Sequence, residues 1–452
     1  MSEELRGIGK FDFNTTESLE GDFLIDLDVH NPWDKSKNLI IGKFNGIISD
    51  EIGNGDLFFP WNFKGIGVNG QEITANALAL VGISERPVPR EYDCRFEISQ
   101  LTIGEYQECE YFEFWIPNFI IGFDQVSEHS PGRMVRDKSY LNLEFRQENF
   151  SIEFTGVNGL GSNYQEILNR KEDFISVKVI IKKENGTISY DLATELMDIL
   201  LDLCSIAYGQ KIAWTNIFGY NNNCEVFKSI RKLSPGVLNS IRPLIDVRFP
   251  NHLTHFIQTC FPAYSAFDAE TKISLKKLTE GIHLATANLK FPIPFIIIGS
   301  AIEEFVQNEL DDVDVNYIQR ADRRRIYRTF KALMQEHVND LLSEEDRIEL
   351  LNDQTLHQKW SALLQRNLRI RITKLLEEFQ IEFNVDHVGL FVQKRNNAAH
   401  GSYEYSSSDY IIWSQMVALL EKVLLKKIQY EGEYIDFSTS PPRSKVLTIH
   451  EA

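Results

Sequence analysis

Cysteine is scarce in this chain, and long apolar runs are missing. Five cysteines, Cys94, Cys109, Cys204, Cys224 and Cys260, are scattered through 452 residues. An odd, dispersed set excludes a disulfide framework and fits reduced thiols in a cytosol. The longest apolar runs, such as Phe295-Ile296-Ile297-Ile298, are far too short to span a bilayer. The opening residues, Met1 to Arg6, contain no apolar stretch of a secretory signal. A cytoplasmic protein with no membrane partner is therefore expected. Positive charge is short as well: 47 Lys and Arg stand against 65 Asp and Glu, a net charge of −18. That balance excludes a surface that holds nucleic acid everywhere, while leaving room for a local basic cleft. Metal-binding spacing is also lacking. His252, His255 and Cys260 offer three donors, but no fourth is in view and no standard zinc spacing is met. Gly65-Ile66-Gly67-Val68-Asn69-Gly70 matches G-x-G-x-x-G literally, yet its surroundings read as hairpins and not as a βαβ unit. No metal and no cofactor are expected.

What is present divides the chain. At this length two or three domains are expected. Residues 1–190 read as a β-rich N-terminal domain. Alternation at Phe23–Val29 and Phe174–Ile181 marks strands. Asn-Gly pairs at 45–46, 54–55, 69–70, 158–159 and 185–186 mark hairpins, and none follows residue 186. The last is expected to join residues 177–182 to 187–190. An antiparallel sandwich or barrel-like region follows from this pattern, with Trp61, Tyr111, Phe112, Phe114 and Trp115 in its core. Residues 191–267 read as a mixed connecting region that opens with a helix to about Tyr208, its stripe being Leu192, Leu196, Ile199, Leu200 and Leu203. Residues 268–432 are helical throughout, with helices expected over 269–288, 295–310, 323–342, 353–379 (one helix or two), 385–400 and 409–430. Residues 433–452 form a tail expected to be loose. The whole is an α+β multidomain layout.

One stretch in the helical part carries chemistry: Lys394-Arg395-Asn396-Asn397-Ala398-Ala399-His400. Gly401 suits the left-handed position that closes a helix. Asn396 and His400 are four apart and share a face. Arg395 stands five residues before His400, roughly 140° around an α-helix and about 7.5 Å along it. A straight helix does not aim both side chains at one atom. Either the last turn unwinds, or a second copy of the helix completes the site; Ala398 and Ala399 would let another backbone approach. Basic residues gather in the same third of the chain. Arg320, Arg323, Arg324, Arg325 and Arg328 form one cluster; Arg366, Arg369, Arg371 and Lys374 form another. The plain reading of each is a solvated helix face.

The order Arg, polar residue, then His four residues beyond it resembles the R-x4–6-H signature of HEPN domains, helical domains of which many are metal-independent ribonucleases. The surroundings are similar too: Gly401, a short polar loop, and a long amphipathic helix from Asp409. An upstream helix carrying Ala301-Ile302-Glu303-Glu304-Phe305 looks like the first helix of that family, which often bears an acid. With a β-rich region ahead of it, the layout resembles the ApeA-like group of bacterial anti-phage proteins. The resemblance covers residues 270–432. It implies an all-α HEPN bundle after the β-rich part. It also implies an endoribonuclease acting in abortive infection, with tRNA among its candidate substrates, and a homodimer or higher homo-oligomer in which two motifs share one cleft. The β-rich part would then sense a phage-derived trigger.

The residue types suit that chemistry. RNA can be cut without a metal because the 2′-hydroxyl beside the scissile phosphate is a built-in nucleophile. Histidine moves protons near neutral pH, and the planar fork of arginine pairs with phosphate oxygens and stays charged. His400 and Arg395 are the catalytic candidates, with Asn396 donating to the phosphate or orienting His400. By resemblance, the products are a 2′,3′-cyclic phosphate and a 5′-hydroxyl. Glu303 anchors Arg395 or shapes the pocket in this reading; Lys394 and Tyr403 support it, and Arg323, Arg324, Arg366 and Arg369 meet the RNA backbone. The alternatives are a non-catalytic HEPN module that binds RNA or a partner, and a carbohydrate- or protein-binding β module on a helical stalk. A toxin controlled by nucleotidylation is disfavoured, since position 402 is Ser where such toxins carry Tyr.

Overall fold

A computed structural model describes residues 2–12, 18–28, 39–46, 61–87, 90–130, 133–157, 175–232, 242–287, 289–338, 341–439 and 441–448. It separates into two compact units, Met1–Ser265 and Ala266–Ala452. No helix among the described residues is long and apolar enough to cross a membrane.

The first unit is built on antiparallel strands. β1 (Ser2–Asp12), β2 (Ser18–Asp28), β3 (Leu39–Gly46), β4 (Trp61–Gly67), β5 (Glu72–Pro87) and β6 (Arg90–Ile103) pair in the order β3-β2-β1-β4-β5-β6. β3 also pairs with β6, Leu39 opposite Glu97 through Asn45 opposite Glu91, which closes a six-stranded barrel. Side chains alternate across each strand, so Phe11, Phe23, Ile25, Phe44, Phe63 and Phe96 fill the interior. Such large rings fit because Gly9 and Gly65 yield space; a Cβ on Gly9 would lie 2.3 Å from the Phe63 ring. Gly65 and Gly67 lie in β4, and Gly70 turns the β4–β5 hairpin at φ +77°. The G-x-G-x-x-G match is thus strand and turn, with no helix after it.

β6 is long enough to serve two sheets. Its second half pairs with a later strand, and the sheet continues through β7 (Tyr111–Pro117), β8 (Gln125–Ser130), β9 (Arg133–Phe145), β10 (Glu148–Gly156) and β11 (Ile175–Lys183). The Asn185-Gly186 turn does not make the expected hairpin. β11 pairs with β10 and β7, and Ile188 makes only a single bridge to Cys109. Ser189 instead caps α1 (Tyr190–Tyr208) by accepting from Leu192 N–H, so these residues are committed to a helix start. Residues 191–267, read as a connecting region, contribute α1 and two strands of the same sheet, β12 (Asn216–Asn221) and β13 (Cys224–Arg231), between β7 and β6. The Tyr190 ring of α1 meets Phe112 and Phe227. Phe112 and Phe114 are fully buried and Trp115 nearly so, in the core as expected, while Tyr111 is only half-buried and the Trp61 side chain lies outside the described residues. The last helix of the stretch, α2 (His252–Ala266), carries His252, His255 and the buried Cys260.

The second unit is helical: α3 (Ala269–Thr286), α4 (Ile293–Glu309), α5 (Asp312–Val315), α6 (Arg320–Val338), α7 (Glu344–Leu351), α8 (Asp353–Leu364), α9 (Leu368–Glu378), α10 (Val385–Ala399) and α11 (Asp409–Lys427). The 353–379 stretch is two helices, because Asn367 caps α9 by accepting from Ile370 N–H at 3.0 Å. α4 is central, packed against α3, α9, α10 and α11, while α10 also packs on α9 and α11. The stripe Trp413, Met416, Val417, Leu420, Val423 and Leu424 is buried as its period requires. The tail is not loose. Gly432–Asp436 and Arg443–Leu447 form a two-stranded hairpin, β14 and β15. It is held by the fully buried Asp436 carboxylate, which pairs with Lys445 at 2.5 Å and Lys422 at 3.5 Å.

Candidate functional site

The motif lies on the last turn of α10. Val388 and Phe391 bury one side of this helix, and the Phe391 ring stands 5.8 Å from Phe295 of α4. The helix ends as its sequence demands. His400 N–H still bonds Asn396 C=O at 3.0 Å, and Gly401 adopts φ +74°. Gly401 N–H then reaches Ala398 C=O at 3.4 Å, and Ser402 N–H reaches Asn397 C=O at 2.9 Å. This pair of bonds is a Schellman stop. The last turn therefore stays wound, and Arg395 and His400 keep the angular separation that the spacing implies. The His400 side chain is exposed and makes no hydrogen bond among the described residues.

Arg395 is held from three sides. Its Nη2 donates to the Glu303 carboxylate of α4, and its Nη1 donates to Asn396 Oδ1 at 3.1 Å. Its stem lies across Gly299, one turn before Glu303 on the same helix; a Cβ there would stand 2.5 Å from Arg395 Cγ. Asn396 thus contacts Arg395, and its amide nitrogen has no partner among the described residues.

Lys394 and Tyr403 serve a neighbouring carboxylate. Asp409 is fully buried at the start of α11. It pairs with Lys394 Nζ at 3.0 Å and accepts from the Tyr403 hydroxyl, from Ser406 N–H at 3.0 Å and from Ser406 Oγ at 2.5 Å. Burial pushes its carboxyl up, but the Ser406 and Tyr403 donors and Lys394 outweigh that and hold it down at about 2. Lys394 also donates to Glu404 C=O at 3.0 Å and lies over the Tyr403 ring. The loop directly after His400 is pinned in this way. Asp409 thus gathers the loop's donors.

The basic clusters come apart in three dimensions. Arg323 pairs with Asp312, while Arg366 donates to Val313 C=O at 3.2 Å and lies over the Tyr317 ring, so both brace the 312–317 segment. Arg324 is exposed and has no partner among the described residues. Arg369 lies on the motif helix itself: a Cβ on Gly389 of α10 would stand 3.2 Å from its guanidinium carbon. Arg371, one turn of α9 from the surface members, points inward and is only 6% exposed. Sequence reasoning placed Arg371 with the solvated cluster. The signal that could have found it is its position in the apolar stripe Leu368, Ile372, Leu375 and Leu376. Gly299 carries no such signal.

Substituting Gly299→Ala is expected to leave the fold at least as stable, since Ala is favoured over Gly in a helix by about 1 kcal/mol. The new methyl displaces the Arg395 stem; under the nuclease reading proposed below, turnover on RNA should fall about tenfold. Melting temperature and turnover measured side by side check this; loss of stability without loss of turnover contradicts it.

Comparisons with protein-family models, with curated proteins and with solved structures find no match for this chain.

Proposed function

We propose that the helical unit is a metal-independent endoribonuclease that resembles the ApeA-like HEPN group. The observation that carries this reading is the wound Schellman stop. It leaves His400 free at a helix end, five residues beyond an arginine that is braced by a carboxylate. In the mechanism, His400 takes the proton of the 2′-hydroxyl, whose oxygen attacks phosphorus as the bond to the 5′-oxygen breaks. The departing 5′-oxygen takes its proton from water. Arg395 neutralises the charge that develops on the phosphate oxygens. The products carry a 2′,3′-cyclic phosphate and a 5′-hydroxyl. Arg369 and Arg324 are the candidate backbone contacts left exposed by the fold, and the β-rich unit regulates the nuclease in response to a phage-derived signal in the cytoplasm.

The test is to incubate the purified protein with total tRNA and map the cut ends, with an Arg395→Ala/His400→Ala protein beside it. Cyclic phosphate ends that form in EDTA support the reading. Inhibition by EDTA, reversed by Mg²⁺ or Mn²⁺, overturns it. Glu303 occupying the Arg395 fork favours a second reading, a non-catalytic module that binds RNA or a partner; tight RNA binding with no cut ends is its result.

Arg395 and His400 leave one helix on different faces, so a complete cleft calls for a second motif, and a two-fold homodimer is the simplest way to supply it. Ala398 and Ala399 leave room for that approach. Ala398→Trp is expected to convert the dimer to monomer and to lower cleavage by about tenfold or more. Light scattering and turnover on the same sample check it; a wild-type monomer fully active at nanomolar concentration rules the pairing out.

A further inference from the structure

Arg371 is a guanidinium turned into the folded helical unit. It is 6% exposed, its Nε finds no hydrogen-bond acceptor, and it makes no ion pair among the described residues. Burying a guanidinium in this way is costly, because its Nε loses water without gaining an acceptor. The residue sits on α9, which packs on both α4 and α10, the helices of Glu303 and Arg395. Both of those groups act on it electrostatically, Glu303 favouring its charge and Arg395 opposing it, while burial draws its basicity down. One carboxylate thus acts on two arginines, and among the described residues it is ion-paired with Arg395.

We infer that Arg371 is the second station of Glu303: when a phosphodiester oxygen takes the Arg395 fork, the Glu303 carboxylate passes to Arg371. This rests on the reading of Arg395 as the phosphate-binding residue. A phosphate cannot share the Arg395 fork with Glu303 without two anions meeting. A free Glu303 in a half-buried site would be repelled by the same phosphate. Arg371 removes both penalties, and no charge enters or leaves the three-residue set. Before substrate arrives the arrangement keeps Arg395 occupied. After it arrives, Arg371 holds Glu303 back and leaves Arg395 Nη2 to the ligand, while Nη1 stays on Asn396. Arg371 is in this sense a positioning residue that never touches RNA. An unpaired buried cation kept at the expense of stability is what such a role requires.

The experiment uses the full chain with Arg371→Met, Arg371→Lys, Glu303→Gln and the Arg371→Met/Glu303→Gln pair. Three quantities are read: melting temperature, affinity for a 2′-deoxy oligonucleotide that cannot be cut, and turnover on RNA. Arg371→Met should melt no lower than wild type, because it removes an unpaired buried charge. It should nevertheless bind the oligonucleotide about tenfold more weakly and cut RNA more slowly, since Glu303 stays on Arg395. Arg371→Lys, which keeps the charge, should recover part of the loss. The double variant has the same net charge at the site as wild type and no acid to clamp Arg395, so it should bind and cut better than Arg371→Met alone. Wild-type binding by Arg371→Met overturns the inference. So does a loss that Glu303→Gln fails to relieve, or one that tracks a lower melting temperature. If no protein cuts RNA but the binding pattern holds, the exchange stands and the nuclease reading falls.

Discussion

His400→Ala is expected to abolish RNA cleavage and to leave the protein folded. A positioned histidine contributes about 100-fold or more to proton transfer in such reactions. No other imidazole lies on the motif helix's last turn. The side chain is exposed at a Schellman stop and makes no hydrogen bond among the described residues, so its removal should change stability by less than about 0.5 kcal/mol. Turnover on tRNA and a thermal melt, taken together, check this. Cleavage at the wild-type rate would take His400 out of the mechanism, and a collapse of the melt would show that the residue supports the fold.

Asp409→Ala is expected to have the largest effect on stability. It leaves Lys394, only 19% exposed, without its carboxylate, and it strips the acceptor from Tyr403 and Ser406. Breaking a buried pair in this manner costs about 3–5 kcal/mol. The loop after His400 loosens at the same time, so cleavage should fall even where the fold survives. The pH dependence has a definite sign. Asp409 is held at about 2, below its ordinary 3.8, so its contribution of about 2 kcal/mol is present above pH 3.8 and is lost as pH falls toward 2. Acid titration of the wild type against Asp409→Asn checks it: the wild-type advantage should shrink across that window. An advantage that persists unchanged below pH 2 contradicts the assignment.

Both outcomes turn on contacts of different legibility. The helix stop at His400 and Gly401 was readable, because a Schellman motif is a matter of six consecutive residues and one positive φ. The divergence of Arg395 and His400 was readable for the same reason: helical period is local. The Asn185-Gly186 hairpin was misread because a strong turn signal competed with Ser189, a helix cap three residues on, and the cap prevailed. The tail was misread because nothing in its local sequence reveals that Asp436 is buried beside Lys422 and Lys445.

The sequence by itself determined the β-rich and helical division, the positions of most helices, the apolar stripe of α11 and the chemistry-bearing run from Lys394 to His400. Each of these depends on periodicity or on turn residues within a few positions of one another. Only the tertiary structure decided that β3 returns to β6 and closes the barrel, and that β12 and β13 enter the same sheet from beyond α1. It alone decided that Arg395 meets a carboxylate 92 residues away, that Asp409 is the anchor of the motif loop, and that Arg371 turns inward while Arg369 stays out. The reason is common to all of them. Which charges lose their water depends on which helices cross, and a crossing is set by the packing of whole apolar faces, not by any short run of residues.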